Sequence, residues 1–167
     1  WVFDYHDHPG WIRAVADSIR VFQADHGVPD RLLFSLHGIP QRYVRQGDPY
    51  QIQCTRSVRA IAERLGLDAE RWLLTFQSRV GREPWLQPYT DETLEELARS
   101  GVRHVQVVCP GFAVDCLETL EEIAMQNREV FEENGGEKLE YIPALNDSES
   151  HVDVMKHLIE PTKGEFS

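Results

Sequence analysis

Short apolar runs alternate along this chain with longer segments in which apolar residues recur every three or four positions. The longer segments have the spacing of one face of an α-helix, and they predict five helices, over residues 12–26, 54–65, 90–101, 115–133 and 152–159. The short runs are typical of buried β-strands, and they predict four strands, over residues 32–36, 72–76, 105–108 and 139–142. Glycines that follow the helical segments mark several of the helix ends.

This alternation predicts an α/β fold in which a four-stranded parallel sheet is covered by helices on both faces. A chain of 167 residues is long enough for one core, because a domain of this size buries roughly 70% of the surface of its unfolded chain. Nothing in the pattern marks an internal boundary, so we expect residues 1–167 to form a single domain. Residues 161–167 follow the last helix and are expected to be a frayed tail.

Charge and composition narrow the class of protein. The formal net charge is −11, from 17 basic and 28 acidic residues, which argues against nonspecific binding to nucleic-acid phosphates. The longest nearly apolar run, residues 107–114, is far shorter than the roughly 20 residues that a membrane span requires, so no integral membrane segment is expected. The three cysteines are odd in number and lack zinc-site spacing, which indicates a reducing compartment. We therefore expect a cytoplasmic protein.

Polar side chains follow the predicted strands at their carboxyl ends, where ligands bind in open parallel sheets. His37 follows the first strand, Gln77 and Arg79 end the second, and Glu118 follows the third, so we expect these four to converge on one crevice. Neutral imidazole can accept a proton near pH 7 or bind a metal of intermediate softness. His37 could equally be a histidine that is merely hydrogen-bonded at a strand end.

Glu118 and Glu122 are four residues apart, which places both carboxylates on one face of the predicted helix. They could take part in proton transfer or metal binding. The structural alternative is a capping box, with Asp115 as the N-cap and Glu118 as the third helical residue. Acidic residues in a first helical turn also suit the helix dipole. The spacing alone favours capping, although the two roles are compatible.

Trp85 and Phe112 are large aromatic residues in the loops beside these polar groups. They could form the floor of a site for a flat apolar ligand, or they could pack beneath the loops as ordinary core. Arg79 could bind a ligand carboxylate or pair with Asp91 or Glu83. Neither of the glycine-rich phosphate-binding patterns, GxxxxGK[ST] and GxGxxG, is in the sequence, which argues against a nucleotide-binding protein.

Three loop segments resemble those of a known family. They are SLHGIP at 35–40, FQSRVGREPWLQPYTD at 76–91, and PGF at 110–112 followed by DCLETLEE at 115–122. In this order they resemble ferrochelatases, and specifically the C-terminal half of a bacterial ferrochelatase. Members of this family have two similar α/β halves around a porphyrin cleft, so the resemblance implies a Rossmann-like (chelatase-like) domain.

The resemblance implies insertion of ferrous iron into protoporphyrin IX to give protohaem, the terminal step of haem biosynthesis. Fe²⁺ would then be a substrate, and no cofactor is expected. His37 and Glu118 match the catalytic histidine and glutamate of the family. The same two residues, with Glu122 as a weaker third, are the implied metal-contacting groups. The positions that match the porphyrin-lining residues of the family are Ile39, Pro40, Trp85 and Phe112.

The resemblance also sets limits. Some family members have a histidine where this chain has Cys116, so a second imidazole is missing here. Others bind an iron–sulfur cluster through C-terminal cysteines, and this chain has none after Cys116, so we expect no cluster. The chain begins at Trp1 rather than at methionine, and we expect it to lack the N-terminal half of a longer protein. Because it would supply one wall of the cleft, we expect it to be inactive alone.

Two other functions are compatible with the same residues. One is a noncatalytic module that binds a tetrapyrrole, and the other is a related chelatase that uses coproporphyrin or cobalt. The sequence also leaves open whether His37 acts mainly as a base or mainly as a metal ligand.

Overall fold

The fold is built on a parallel sheet of four short strands. The structure is a computed structural model that describes residues 2 and 4–160; the predicted tail at 161–167 lies outside them. The strands are β1 (Arg31–His37), β2 (Trp72–Gln77), β3 (His104–Val108) and β4 (Lys138–Ile142), in the spatial order β2-β1-β3-β4. All three strand pairs are parallel, which confirms the predicted α/β class.

Helices connect the strands and cover both faces of the sheet. They are α1 (Pro9–His26), α2 (Gln41–Arg45), α3 (Tyr50–Leu65), α4 (Thr90–Arg99), α5 (Leu117–Leu120), α6 (Arg128–Glu133) and α7 (Glu149–Ile159). The sequence pattern missed α2 because this five-residue helix buries none of its side chains and so has no apolar stripe. Within the described part of the chain, no helix combines the length and the apolar character needed to cross a membrane.

Alternate residues of the central strand β1 point into two separate cores. Leu32, Phe34 and Leu36 pack into the larger core, which α1, α3 and α7 cover. Leu33 packs into the smaller core, beneath α4 and α6. Because both faces are buried, the strand is a nearly continuous apolar run.

Because all the strand pairs are parallel, the loops that follow the four strands lie at one side of the sheet. This side is here called the carboxyl edge, and the opposite side is the amino edge.

The predicted single helix over 115–133 is wrong in detail, because the segment has three parts. A π-helical stretch, Glu122–Asn127, lies between α5 and α6. The Asn127 side-chain Nδ2 donates to the Glu122 carbonyl at 2.8 Å, which stabilises the wider turn. Such π-helical insertions are frequent at functional sites. An apolar stripe read at 3.6 residues per turn does not reveal this change of helix type.

Candidate active site

His37 ends β1 and lies opposite Gln77 of β2 in the sheet register. Its Nδ1 is 2.7 Å from the Gly38 carbonyl oxygen. Because a carbonyl only accepts, Nδ1 carries the proton, and the lone pair of the neutral imidazole is on Nε2. The Tyr50 hydroxyl donates to the His37 carbonyl at 2.8 Å and holds the backbone at this point. The half-buried ring therefore has a fixed tautomer with an acceptor nitrogen that can take a proton or a metal.

Two aromatic side chains flank His37. The ring centroids of Trp85 and Phe112 are each 6.3 Å from the centroid of the imidazole. The Trp85 indole Nε1 donates to the Val80 carbonyl at 2.9 Å, which fixes the indole at the margin of the site. Phe112 is half-buried and packs against the smaller core. Phe112 can therefore pack beneath its loop and line the site at the same time.

The turn after β1 holds two further residues from the resemblance. Pro40 forms an isolated antiparallel bridge with Trp85, and the Leu86 N–H donates to the Ile39 carbonyl at 3.0 Å. Pro40 is buried and Ile39 is half-buried. The turn and the Trp85 loop therefore form one unit beside His37, which brings four of the sequence-predicted residues into one neighbourhood.

Gln77 connects the sheet to the loop that carries Glu118. Its Oε1 accepts from the Ser35 hydroxyl at 2.7 Å, and its Nε2 donates to the Glu118 backbone carbonyl at 2.6 Å. Ser35 also contacts the Thr90 hydroxyl of α4 at 2.8 Å. All three polar side chains, Ser35, Gln77 and Thr90, are buried. Gln77 therefore lies beneath the site, where it positions the chain next to Glu118.

The predicted capping box at Asp115 and Glu118 is wrong by one residue. The helix begins later, with Cys116 as the N-cap and Thr119 as the third helical residue, and the Thr119 hydroxyl accepts from the Cys116 N–H at 3.0 Å. Thr119 is buried, so a hydroxyl that fits the core takes this capping position instead of a glutamate. The Glu118 carboxylate is therefore not used for capping.

Glu118 is half-buried on the first turn of α5. A hydrogen bond from the Cys116 thiol, the residue's own N–H and the charge of His37 together hold the pKa of the Glu118 carboxyl below its ordinary value. The influence of His37 means that the two groups are within electrostatic reach of each other. The site thus places the His37 side chain near a carboxylate that is ionised at neutral pH.

Glu122 is held by Ser78, which sequence reasoning did not select. The Ser78 N–H and hydroxyl donate to the two oxygens of the Glu122 carboxylate at 2.7 and 2.5 Å. Ser78 has a φ of 64°, an uncommon conformation for a residue other than glycine. No sequence signal marks a serine for that backbone region. A concavity of about 260 Å³ is lined by Ser78, Glu122 and Asn127, and His37 is not among its lining residues.

Arg79 does not join the predicted crevice. Its guanidinium pairs with Asp91 and Glu92, each at 2.9 Å, and lies over the ring of Tyr89. The side chain is exposed, and all of its contacts are with α4 or the residue before it. Of the two roles left open by the sequence, the structure supports the ion pair, although Glu92 replaces Glu83 as the second partner.

A separate cluster of Asp4, His6 and Asp7 precedes α1, and its potential metal-binding atoms all lie within 4.8 Å of one another. His6 Nδ1 is 2.6 Å from an Asp4 oxygen. Hydrogen bonds from Gln53 to Asp4 and from Ser57 to the His6 carbonyl tie this turn to α3. These contacts account for the cluster as a hydrogen-bonded turn that attaches the segment before α1 to α3.

The fold and the loop cluster define an α/β protein of the Rossmann-like class, with polar and aromatic side chains gathered at the carboxyl edge of a parallel sheet. The chain belongs to the ferrochelatase family, whose family model matches residues 1–163.

Curated relatives agree with this assignment. The chain is 59% identical over 161 residues to a ferrochelatase of Klebsiella pneumoniae (strain 342), a match that covers 96% of this chain and 50% of the relative. It is 54% identical over 165 residues to a ferrochelatase of Hydrogenovibrio crunogenus, covering 98% and 44%, respectively. A third relative, a ferrochelatase of Psychrobacter sp. (strain PRwf-1), is 55% identical over 160 residues, covering 96% and 47%. The chain therefore spans about half the length of the curated relatives that it matches.

Proposed function

We propose that this chain is the C-terminal half of an enzyme that inserts Fe²⁺ into protoporphyrin IX to give protohaem. The observation that carries the proposal is the arrangement around His37, whose Nε2 holds the lone pair while Trp85 and Phe112 flank the ring. Two aromatic side chains suit a flat apolar macrocycle, and an acceptor nitrogen near both of them suits the removal of a pyrrole proton. Ile39 and Pro40 would extend the porphyrin-binding wall along the adjoining turn.

The reaction breaks two pyrrole N–H bonds and forms bonds from iron to the four ring nitrogens, and iron remains in the ferrous state. Two protons must therefore leave the porphyrin. We propose that His37 Nε2 either accepts the first pyrrole proton or makes the first contact with Fe²⁺. Glu118, ionised near neutral pH, is the opposing carboxylate that contacts Fe²⁺ or receives a proton. Glu122 is a weaker metal contact, because Ser78 already donates to both of its oxygens.

Iron is a substrate in this proposal, and we propose no resident cofactor. The cysteines of the chain are Cys54, Cys109 and Cys116, fewer than the four thiolates that usually hold an iron–sulfur cluster. Cys54 and Cys109 are also buried, and burial raises the pKa of both thiols, which disfavours metal-binding thiolates.

The test is anaerobic haem formation by the full-length protein with Fe²⁺ and protoporphyrin IX, followed by absorbance. We expect His37→Ala and Glu118→Gln to lose at least about 100-fold in kcat, the range typical of a lost proton-transfer group, and still to bind porphyrin. His157→Ala is the matched control, because His157 is exposed on α7. Wild-type protein that binds porphyrin and inserts no metal would support the noncatalytic binding module instead. Faster turnover with coproporphyrin or Co²⁺ would support the related chelatase.

We further propose that the 167-residue chain alone forms no haem at a significant rate. The residues that support the proposal come from loops on one edge of one sheet, and so they supply one wall of a cleft. Comparing the isolated chain with the full-length protein at equal concentration tests this directly. Haem formation at similar rates by the two would show that the chain contains a complete site.

A further inference from the structure

Asp115 and Asn146 join the loop after β3 to the loop after β4. The Asp115 N–H donates to Asn146 Oδ1 at 2.9 Å, and Asn146 Nδ2 donates to Asp115 Oδ2 at 2.8 Å. The Asn146 N–H also donates to the Ala113 carbonyl at 3.1 Å. Three hydrogen bonds therefore connect a single asparagine to one short stretch of the loop that precedes α5.

The Asp115 carboxylate is further held by donors from three other positions. Its Oδ1 accepts from the Tyr141 hydroxyl at 2.6 Å, from the Ala144 N–H at 3.2 Å and from the Thr119 hydroxyl at 3.2 Å. Burial raises the pKa of Asp115, but these donors and Asn146 outweigh it and hold that pKa below its ordinary value. Asp115 is thus an ionised hub between β4, the loop after it and α5.

Asn146 is itself held in an unusual backbone conformation. Its φ is 49°, in the left-handed region that asparagine tolerates better than most residues other than glycine. The buried ring of His151 contacts the Asn146 carbonyl through Nδ1 at 2.6 Å. Because the carbonyl can only accept, the histidine donates. The asparagine is therefore fixed from both sides, by α7 through its backbone and by Asp115 through its side chain.

Asp115 lies midway along the chain between two residues of the candidate site. Phe112 is three residues before Asp115, and Glu118 is three residues after it. We infer that Asn146 is a positioning residue, which acts through Asp115 to hold Phe112 and Glu118 where metal insertion requires them. This inference rests on the proposed function. A displacement of about 1 Å at a reacting group can cost on the order of 100-fold in rate, so a loop tie of this kind has a measurable effect.

The experiment uses the full-length protein and the variant Asn146→Gly, which keeps the φ of 49° accessible and removes the side-chain hydrogen bonds. We expect kcat for haem formation to fall by about 10–100-fold, with a smaller change in the KM for porphyrin. Asn146→Asp should lose more, because it places a second carboxylate against Asp115. The exchanged pair, Asp115→Asn with Asn146→Asp, restores a donor and an acceptor. We expect its kcat to be at least tenfold higher than that of Asn146→Asp alone.

The matched control is Asp30→Asn at the amino edge. Asp30 Oδ2 also joins two segments, since it accepts from the Arg103 and His104 N–H groups at 3.1 and 2.9 Å. We expect this control to lower the melting temperature as much as Asn146→Gly does and to leave kcat unchanged. A kcat for Asn146→Gly within twofold of wild type, or no recovery in the exchanged pair, would overturn the inference.

Hydrogen exchange separates this inference from the proposed function. In Asn146→Gly, we expect faster amide exchange over residues 112–119 and unchanged exchange over 103–105. If the wild-type protein forms no haem, the proposed function fails, and faster exchange at 112–119 still supports the positioning of Phe112 and Glu118. Unchanged exchange at 112–119 overturns the positioning role in either case.

Discussion

The two edges of the sheet both contain polar groups that are shielded from solvent, but they use them differently. At the amino edge, the Glu140 carboxylate is satisfied by four side-chain donors: His26, Lys138, His104 and Gln106. At the carboxyl edge, Nδ1 of His37 is bound while Nε2 keeps its lone pair, and Glu118 is free of a capping role. A fully paired charge stabilises a fold, whereas an acceptor held in place without a protein donor is available for chemistry.

The two edges of the sheet also differ in backbone conformation. In the part of the chain that the structure describes, the residues other than glycine with positive φ are Ser78 and Asn146, and both are at the carboxyl edge. The π-helical stretch Glu122–Asn127 also begins there. Uncommon backbone conformations persist where surrounding contacts enforce them, and they concentrate at functional sites. At the amino edge, by contrast, the hydrogen-bonded polar groups include residues at regular strand positions such as His104 and Glu140.

The largest expected loss of stability comes from replacing two buried glutamines in the strands, one associated with each edge. Gln77 bridges Ser35 and Glu118, and Gln106 bridges Gln23 and Glu140. We expect Gln77→Leu and Gln106→Leu each to cost about 3 kcal/mol, because each leaves buried partners unpaired. Denaturant unfolding measures both. Haem formation by the full-length protein should fall at least about tenfold in Gln77→Leu only, and an equal loss in both variants would contradict the distinction between the edges.

The ion cluster at the amino edge should make stability depend on pH. Burial raises the pKa of Glu140, but donors from Lys138, Gln106, His104 and His26 outweigh it and lower that pKa to about 2. A lowered folded-state pKa stabilises the fold above the unfolded-state pKa, and this stability is lost as pH falls from about 4.5 to about 2. The shift corresponds to about 3 kcal/mol, as an order of magnitude.

Unfolding free energies measured across this acidic range should therefore fall steeply for wild type and less steeply for Glu140→Gln. At neutral pH, the variant should be less stable and should keep the haem-forming activity of the full-length protein. Identical pH profiles for the two proteins would show that the cluster is not a source of acid sensitivity.

A substitution at Gly38 tests how closely the residues at the carboxyl edge are packed. A Cβ at this position would lie 3.1 Å from the Gln77 carbonyl oxygen and 3.2 Å from a Trp85 ring carbon. We expect Gly38→Ala to cost about 1–2 kcal/mol in unfolding free energy, because the backbone oxygen cannot move aside freely. Gly111→Ala is the comparison, since its Cβ would have ordinary contacts of 3.6–4.0 Å with Leu36. A cost for Gly38→Ala no larger than that for Gly111→Ala would refute this explanation.

Replacing Arg79 should have the smallest effect on stability, although this residue is also at the carboxyl edge. Its pairs with Asp91 and Glu92 are exposed to solvent, and exposed pairs contribute at most about 1 kcal/mol. We expect Arg79→Ala to change the melting temperature slightly, and less at high salt, with porphyrin binding by the full-length protein preserved. A large loss of porphyrin binding would instead give Arg79 the ligand-binding role that its ion pairs argue against.

Much of the fold follows from the order of residues alone. The four strands and the helices over 9–26, 50–65, 90–99 and 149–159 agree with the apolar patterns because local periodicity and burial on both sheet faces favour the same conformation. The resemblance of three loop segments to the ferrochelatase family also depends on the sequence alone. Position after the predicted strands singles out His37, Glu118 and the two loop aromatic residues, and the resemblance implies their roles.

Long-range contacts decided the rest. The Asp115 carboxylate had the right spacing for a helix cap, yet donors from Tyr141, Ala144 and Asn146 bind it instead, and Thr119 takes the capping position. No local pattern encodes such a choice, because the competing partners are 26 to 31 residues away in the chain. The apolar pattern indicated the four strands and four of the helices, and the three loop segments indicated the family. Only the tertiary structure decided which polar groups are paired, because hydrogen-bond partners brought together by folding outweigh the preference of spacing alone.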